Sequence, residues 1–312
     1  MAPDLADLAE QTLATIPVLG IALALVAAVL LAFGTQFQNR GVVKVEDSHG
    51  TGAKAGLSVR QLLELLRRPS WVIGTLLMGV AIVLQLGSLT VAPITVVQPL
   101  GAVALVVTAV LNARLSGIPL DRKSIRAIVI CVLGVGAFVT VAAFVTKSRP
   151  VTATQLIAVL VILAVALAAF STVFATLRHR LRPMFYVISA GVLFGFVVTL
   201  AKVVIDRIRT IAFTEFEFGP ADILTLLCVV GLVAAALLGT YFVQTAHASN
   251  PPDLVVAGLT VIDPIVAVSI GIIVLGEAAD APLWAVLAFI ATAAVAVYGM
   301  LSLARHHPQL QD

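Results

Sequence analysis

Charged side chains are scarce in this sequence. Asp, Glu, Lys and Arg make up 11% of its 312 residues, whereas a soluble domain carries about 25%. Hydrophobic residues make up 61%, and the mean hydropathy is +1.12. This composition indicates an integral membrane protein with almost no soluble part, and it excludes a separate soluble catalytic domain.

The residues that carry chemistry are also few. The only two cysteines, Cys131 and Cys228, each lie inside an apolar run, so we interpret them as buried side chains and not as a disulfide or metal pair. No phosphate-binding glycine loop, metal-ligand cluster or nucleophile–base pair is recognisable. We therefore expect neither an enzyme nor a bound cofactor. The basic residues never interleave with aromatic ones, which argues against a nucleic-acid partner.

Long apolar runs predict nine membrane-spanning helices in an all-α polytopic protein, since about 20 apolar residues cross a bilayer. Pro93 divides one charge-free run into two spans. The acidic start, MAPDLADLAE, lacks the basic region of a cleavable signal peptide. The predicted spans are about Leu13–Gln36, Ser70–Leu89, Ile94–Ala113, Ala127–Thr146, Thr152–Leu177, Pro183–Ile205, Leu224–Thr245, Leu254–Leu275 and Pro282–Leu303.

The connection between the first two spans has two predicted parts. Residues Asn39 to Leu57 are polar and contain glycines, which predicts a loop. Residues 58–68, SVRQLLELLRR, follow with a capping box formed by Ser58 and Gln61, and Pro69 ends the segment. Leucines on one face and arginines on the other predict a short helix at the membrane interface.

The basic residues predict how the chain is oriented. If the nine spans alternate, one face of the membrane receives only five of the 19 Lys and Arg residues, namely Lys147, Arg149, Lys202, Arg207 and Arg209. The other face receives the remaining 14 and is therefore predicted to be cytoplasmic. We expect a multi-pass protein of the plasma membrane with its N-terminus outside and its C-terminus in the cytoplasm.

The sequence also contains an internal repeat. Gln98-Pro99 and Asn112 in the third span match Asp263-Pro264 and Glu277 in the eighth, each at an offset of 165 positions. The repeat predicts two units, residues 1–149 with four spans and residues 150–312 with five. Because the matching spans are five helices apart, they run in opposite directions. Inverted repeats of this kind occur in transporters that work by alternating access.

Asp263 is the acidic residue that lies well inside a predicted span. It precedes Pro264, whose missing N–H leaves a backbone carbonyl without its helical partner. The carboxylate therefore has two interpretations. It could bind a cation or a proton, as intramembrane acids commonly do, or it could be a neutral Asp that forms a hydrogen bond between helices. If the protein holds a metal ion in the membrane, Asp263 is the expected ligand.

Other polar side chains are candidates for the lining of a central site. Gln98 is the uncharged counterpart of Asp263, and Gln85, Gln244 and Tyr241 lie on neighbouring spans. We expect the helices that contain Pro93, Pro99, Pro252 and Pro264 to be broken or hinged next to this site. For each of the polar residues, hydrogen bonding between helices is the alternative role.

Two charged residues are expected at the membrane surface. Glu277 follows the eighth span and is predicted to lie at its outer rim, where a carboxylate needs no partner and has a helix-end role. Lys202, near the end of the sixth span, is predicted to extend its ammonium to the interface.

At these residues the sequence resembles the drug/metabolite transporter superfamily. The segment PPDLVVAGLTVIDPIVAVSIGIIVLGE is similar to the penultimate span of an EamA-type repeat, with its central proline and terminal Leu-Gly-Glu. The first half is more similar to the NIPA-type magnesium transporter branch. Its alanine-proline step and Pro-Leu-Gly appear here as APITVVQPLGA from Ala92 to Ala102, and the FQNRGVV segment is also similar to that branch.

The resemblance implies an inverted-repeat bundle and secondary transport of a small solute. Members commonly have ten spans, so nine imply that one early helix is missing. Magnesium transport is the alternative substrate assignment, with Asp263 as the one intramembrane carboxylate. A lipid or lipid-linked carrier, or a membrane partner that transports nothing, is the third hypothesis, suggested by the apolar lining. The expected partners are membrane lipids and a small molecule or ion, and a homodimer is left open.

Overall fold

The computed structural model describes residues 5–49, 67–116, 120–149, 151–177, 181, 183–213, 220–249 and 252–305. All regular structure in these ranges is α-helical. Ten helices follow one another: α1 (Leu5–His49), α2 (Pro69–Val91), α3 (Ile94–Leu100), α4 (Ala102–Ser116), α5 (Arg122–Val145), α6 (Ala153–Leu177), α7 (Pro183–Phe213), α8 (Pro220–Ser249), α9 (Pro252–Ile273) and α10 (Leu283–Arg305).

These helices confirm the polytopic fold predicted from the sequence. Eight stretches are long and apolar enough to cross a membrane, and α3 and α4 together form one of them, Ile94–Leu115. The predicted span not among these eight, Leu254–Leu275, corresponds to α9, whose apolar part, Gly258–Ile273, is shorter. The division into units at residues 149 and 150 stays a prediction.

The connection after the first span differs from its prediction. Helix α1 continues to His49, so the expected loop from Asn39 is helical over its first part. Gly41 explains how this extension fits, because a Cβ there would lie 2.7 Å from the Cβ of Trp71 at the start of α2. Residues 58–66 of the predicted interfacial helix lie outside the described ranges.

Three of the four prolines lie at or near a helix end, and the fourth lies inside a helix. Helix α2 ends at Val91 and α3 begins at Ile94, with Pro93 as its N-cap residue. The α3 helix contains Pro99 and ends at Leu100, before Gly101. Pro252 begins α9, but Pro264 lies inside that helix, which continues through it. The predicted break at Pro264 is therefore reduced to one missing backbone hydrogen bond.

The pattern of helix packing repeats between the two halves of the chain. Helix α1 packs against α2 and α4, just as α7 packs against α8 and α9. Helix α4 contacts α5, as α9 contacts α10. Helix α6 packs against α7 and α8, and within the described part of the first half it has no counterpart.

The crossing of α5 and α10 shows that the repeat is inverted. A Cβ on Gly134 would lie 2.7 Å from the Cα of Ala296, and a Cβ on Gly299 would lie 2.5 Å from the Cα of Cys131. Adding 165 to 134 gives 299, and adding 165 to 131 gives 296. The offset thus converts the contacting pair Gly134–Ala296 into the contacting pair Gly299–Cys131 with the two helices exchanged, as at a two-fold axis. Since positions rise along α5 while their partners fall along α10, the two helices are antiparallel.

Candidate functional site

A cavity of about 480 Å³ lies between α1, α2, the α3–α4 span and α9, with one residue contributed by α7. Most of its wall is aliphatic. The uncharged polar side chains in the wall are Thr35, Gln85, Gln98, Thr108 and Thr260, and the one acidic side chain among the described lining residues is Asp263. The cavity therefore combines groups from both repeats around a single carboxylate.

Asp263 reaches this cavity because α9 lies in a groove of α7. Gly191 and Gly195 are one helical turn apart on α7, and a Cβ on either would lie 2.7 Å from Ile262 or Val266 of α9. Small residues at this spacing let membrane helices approach closely. With Ile262 and Val266 seated against α7, Asp263 is turned into the cavity wall.

One oxygen of Asp263 is a candidate for binding a ligand. Its Oδ1 atom is buried, and within the described part of the chain it accepts no hydrogen bond. Buried polar atoms are ordinarily hydrogen-bonded, so such an atom needs an explanation. Beside it, Pro264 has no N–H to donate to the carbonyl of Thr260, one turn earlier. Both residues line the cavity, so the wall offers oxygen atoms at this point.

Gln98 and Gln85 line the same cavity as Asp263. Gln98 is 6% exposed and belongs to the short α3 helix, whose residues are all buried. Gln85 is half-buried in the last third of α2. The structure therefore brings together three of the five predicted lining residues.

The other two predicted residues, Gln244 and Tyr241, lie elsewhere on α8. Neither lines the cavity among the described residues, and both are exposed. They are three positions apart and so share one face of the helix, while the fully buried Phe242 is on the face that packs inward. Tyr241 instead contacts the ring of Phe174 on α6, with ring centroids 5.6 Å apart.

Lys202 and Glu277 do not lie at the membrane surface, and both predictions of a surface position are wrong. Their side chains are each 3% exposed, and the Lys202 Nζ atom lies 3.1 Å from Glu277 Oε1. The ammonium also donates to the Ala92 carbonyl oxygen at 3.2 Å and to Ser148 Oγ at 3.3 Å. Because the two opposite charges are paired inside the bundle, neither side chain has to reach the membrane interface to be solvated.

Glu277 also holds the start of α3. Its carboxylate accepts hydrogen bonds from the backbone N–H groups of Ile94 and Thr95, at 2.8 and 2.9 Å, and from Thr95 Oγ1 at 2.6 Å. These N–H groups belong to the first turn of the helix and have no partner within it. The helix-end role expected for Glu277 is therefore present, but at a helix of the opposite repeat.

Two glycines make this contact sterically feasible. A Cβ on Gly271 would lie 2.9 Å from Glu277 Oε2, so the carboxylate lies directly against α9. Gly276 has a φ of 69°, a conformation that costs glycine little and other residues more. It turns the chain so that Glu277 follows the end of α9 and its backbone carbonyl accepts from the Lys147 N–H at 2.9 Å.

These contacts close one end of the bundle, which we call the Glu277 end. They join the α2–α3 junction, α7, and the connections from α5 to α6 and from α9 to α10. Gln155 on α6 adds a further link by donating to the Leu275 carbonyl oxygen at 3.0 Å. Since Glu277 contacts Ile94 and Asn112 lies near the far end of the same span, the two repeat counterparts are at opposite ends of the bundle.

The described residues contain no group of three or more His, Cys, Asp and Glu side chains suited to enclosing a metal ion. A cation in the cavity would therefore meet one carboxylate, with amide, hydroxyl and carbonyl oxygens around it. A second, apolar cavity of about 440 Å³ lies between α1, α4 and α5. Its lining includes Thr140 but no charged residue.

Comparison with known proteins identifies the family. Residues 15–212 match the family described as magnesium transporter NIPA. This chain belongs to that family. The NIPA family is part of the drug/metabolite transporter superfamily, so the resemblance predicted from the sequence is confirmed. The chain is accordingly a multi-pass membrane transporter. The matched residues include Gln85, Gln98 and Lys202 and end before Asp263 and Glu277.

A curated relative covers more of the chain. An uncharacterized protein of Corynebacterium glutamicum is 25% identical over 259 residues, which is 83% of this chain and 85% of the relative. No solved structure matches the chain.

Proposed function

We propose that this protein carries Mg²⁺ across the plasma membrane by alternating access, with the ion bound at Asp263 in the central cavity. The observation that carries the proposal is the convergence of Asp263 with Gln85 and Gln98 from the opposite repeat in one cavity. The family to which the chain belongs is described as a magnesium transporter. Both observations support a cation as the substrate.

The chemistry of the cavity suits a hydrated magnesium ion. Mg²⁺ loses its water reluctantly and is bound through one or two carboxylates while it keeps several waters. Six waters at about 30 Å³ each need about 180 Å³, which fits within the cavity of about 480 Å³. Asp263 would contact the ion or its water shell, and the amides of Gln85 and Gln98 would accept hydrogen bonds from the waters.

The inverted repeat supports alternating access. In the structure, the Glu277 end is closed by a buried ion pair and its hydrogen bonds, while the cavity wall extends from Gln98 to Thr108, away from that end. In the alternative state the two repeats would exchange their shapes and open the Glu277 end. The distribution of basic residues supports placing that end outside the cell.

Reconstitution into proteoliposomes tests the proposal. Wild-type protein is expected to admit Mg²⁺ to a trapped magnesium-sensitive dye. Asp263→Asn removes the carboxylate with little change of shape, and we expect uptake to fall about tenfold or more, a loss equal to about 1.4 kcal/mol of binding free energy. Asp280→Asn is the matched control, because Asp280 is exposed at the bundle surface.

Three outcomes have different meanings. Uptake that falls about tenfold or more in Asp263→Asn and is kept by Asp280→Asn supports the proposal. Equal uptake by Asp263→Asn and wild type removes Asp263 from the mechanism. Wild-type protein that is folded but admits no Mg²⁺, and does not restore growth to a strain deficient in magnesium uptake, rejects Mg²⁺ as the substrate. The general small-solute and lipid-carrier hypotheses would then take its place.

A further inference from the structure

The ammonium of Lys202 occupies a site built from oxygen atoms. Its Nζ lies 3.1 Å from Glu277 Oε1, 3.2 Å from the Ala92 carbonyl oxygen and 3.3 Å from Ser148 Oγ. We call the atoms contributed by Ala92, Ser148 and Glu277 the oxygen cage. Three separate segments supply them: the α2–α3 junction, the α5–α6 connection and the α9–α10 connection.

The oxygen cage has the chemistry of a site for a hard cation. A carboxylate, a backbone carbonyl and a hydroxyl are the ligand types that Mg²⁺ and Ca²⁺ take from proteins. Lysine brings a compact, strongly hydrated positive charge on a flexible four-carbon stem. In this structure the cage therefore holds a cation that is tethered to α7 instead of a free one.

The cage has a route to the aqueous medium. Ser148 is exposed at the Glu277 end, between the exposed Lys147 and Arg149, while Glu277 is 3% exposed. One wall of the cage thus borders water, and the other is deep in the bundle. A cation that approaches along Ser148 meets the Glu277 carboxylate as soon as the Lys202 ammonium moves away.

The opposite end of the bundle has no carboxylate at the position that corresponds to Glu277. Subtracting the repeat offset of 165 from 277 gives position 112, which is Asn112. The carboxylate of the oxygen cage is therefore a feature of the Glu277 end, and the repeat does not duplicate it at the other end.

We propose that the oxygen cage is a second cation site, in which a divalent cation from the medium competes with the Lys202 ammonium. With Lys202 bound, Glu277 is satisfied and the Glu277 end is closed. When a divalent cation replaces the ammonium, Lys202 is released and α7 loses its link to Ala92, Ser148 and Glu277. Arrival of the ion at this end thereby favours opening. The identity of the ion as Mg²⁺ rests on the proposed function.

Thermal unfolding of the purified full-length protein tests the cage directly. Lys202→Met removes the tethered cation and leaves a carboxylate without its counter-charge. We expect MgCl₂, compared with choline chloride at equal ionic strength, to raise the Tm of Lys202→Met by several degrees, because a ligand that binds only the folded state stabilises it. In Lys202→Met/Glu277→Gln the same addition is expected to have no such effect.

Equal MgCl₂ responses in these two variants, or no response in Lys202→Met, would overturn the proposal. If Lys202→Met does not fold with or without MgCl₂, Ser148→Asp provides the test at an exposed position with Lys202 intact. The added carboxylate is expected to give a larger MgCl₂-induced rise in Tm than in wild type. That gain is expected to disappear in Ser148→Asp/Glu277→Gln, and a gain that persists there rejects the cage.

The two proposals fail separately. Asp263→Asn/Lys202→Met lacks the cavity carboxylate, and its Tm is still expected to respond to MgCl₂ if the cage binds the ion. A response in this double variant, combined with no Mg²⁺ uptake by wild type in proteoliposomes, would reject the proposed function and keep the cage. Uptake by wild type without any response in the Lys202 or Ser148 variants would reject the cage and keep the proposed function.

Discussion

Lys202 and Glu277, 75 positions apart in the chain, form an ion pair 3.1 Å long with both side chains almost fully buried. Further hydrogen bonds satisfy both partners. Lys202 donates to the Ala92 carbonyl oxygen and to Ser148 Oγ, and Glu277 accepts from the backbone N–H of Ile94 at the start of α3. Burying two charges is costly unless each is paired and hydrogen-bonded. Here both conditions are met, because each charge has its counter-charge and further hydrogen bonds.

Removal of the Glu277 charge should destabilise the protein strongly. Glu277→Gln leaves the Lys202 ammonium buried without its counter-charge, and breaking such a pair costs about 3–5 kcal/mol. Unfolding in denaturant, followed by a change in helical signal, gives the free energy. Asp280→Asn is the control, because it breaks an exposed ion pair with Arg149 that is expected to contribute about 0–1 kcal/mol. Equal losses in the two variants would contradict the assigned role of burial.

Gly271 should be intolerant of a methyl group. A Cβ there would lie 2.9 Å from Glu277 Oε2, so Gly271→Ala must displace the carboxylate from the N–H groups of α3. We expect a lower Tm than wild type. Gly79→Ala is the matched control on α2, since a Cβ at Gly79 meets nothing within 4 Å. Within a helix that change is expected to stabilise by about 0.4–1 kcal/mol. A Gly271→Ala variant as stable as Gly79→Ala would show that the carboxylate has room to move.

Transport measurements can distinguish the roles of two polar residues, Gln85 and Gln244, for which the sequence made the same prediction. Gln85 lines the cavity, whereas Gln244 is exposed on α8. Gln85→Ala is expected to reduce Mg²⁺ uptake into proteoliposomes several-fold, because it removes an amide from the ion's water shell. Gln244→Ala is expected to leave uptake unchanged. The reverse order of effects would place the transport path along α8 instead.

The crossing of α5 and α10 should not tolerate larger residues. A Cβ on Gly134 would lie 2.6 Å from the backbone nitrogen of Ala296, and backbone atoms cannot move aside as a flexible side chain can. Gly134→Ala and Gly299→Ala are each expected to lower the Tm and the yield of monodisperse protein. Gly136→Ala on the open face of α5 is the control, with nothing within 4 Å of its Cβ. Normal behaviour of all three variants would contradict close packing at this crossing.

Labelling of single introduced cysteines tests the proposed orientation. Asp280 and Arg122 are both exposed and lie near opposite ends of the bundle. In intact cells, a membrane-impermeant maleimide is expected to label Asp280→Cys and to label Arg122→Cys only after the cells are lysed. Cys131 and Cys228 are buried and provide a low background. Labelling of Arg122→Cys alone in intact cells would invert the orientation, and labelling of both would contradict the inverted repeat.

Much of the fold could be read from the sequence because the membrane restricts it. Backbone groups in lipid must form hydrogen bonds within their own segment, so long apolar runs become helices. Pro93 and Pro252 lie at the starts of helices, where the N–H that proline lacks would have no partner within the helix. The repeat offset of 165 that relates Gln98 to Asp263 also relates the two contacts of the α5–α10 crossing.

The site was only partly predictable, since spacing along a helix does not tell which way the helix is turned. Gln85 and Gln244 are each eight positions before a proline, Pro93 and Pro252, yet only Gln85 lines the cavity. The ion pair of Lys202 and Glu277 was missed because each residue was considered alone. Opposite charges at the same depth of a membrane bundle tend to pair. Applied to both residues together, this rule predicts the ion pair from the sequence.

The reciprocal contact between α5 and α10 has a mechanical consequence. Gly134 contacts Ala296 as Gly299 contacts Cys131. Exchanging the conformations of the two halves of the chain therefore leaves the contacts between α5 and α10 unchanged. In the proposed alternating-access cycle, this seam would stay still while the opening moves from one end of the bundle to the other. The remaining helices would then rock about the α5–α10 seam.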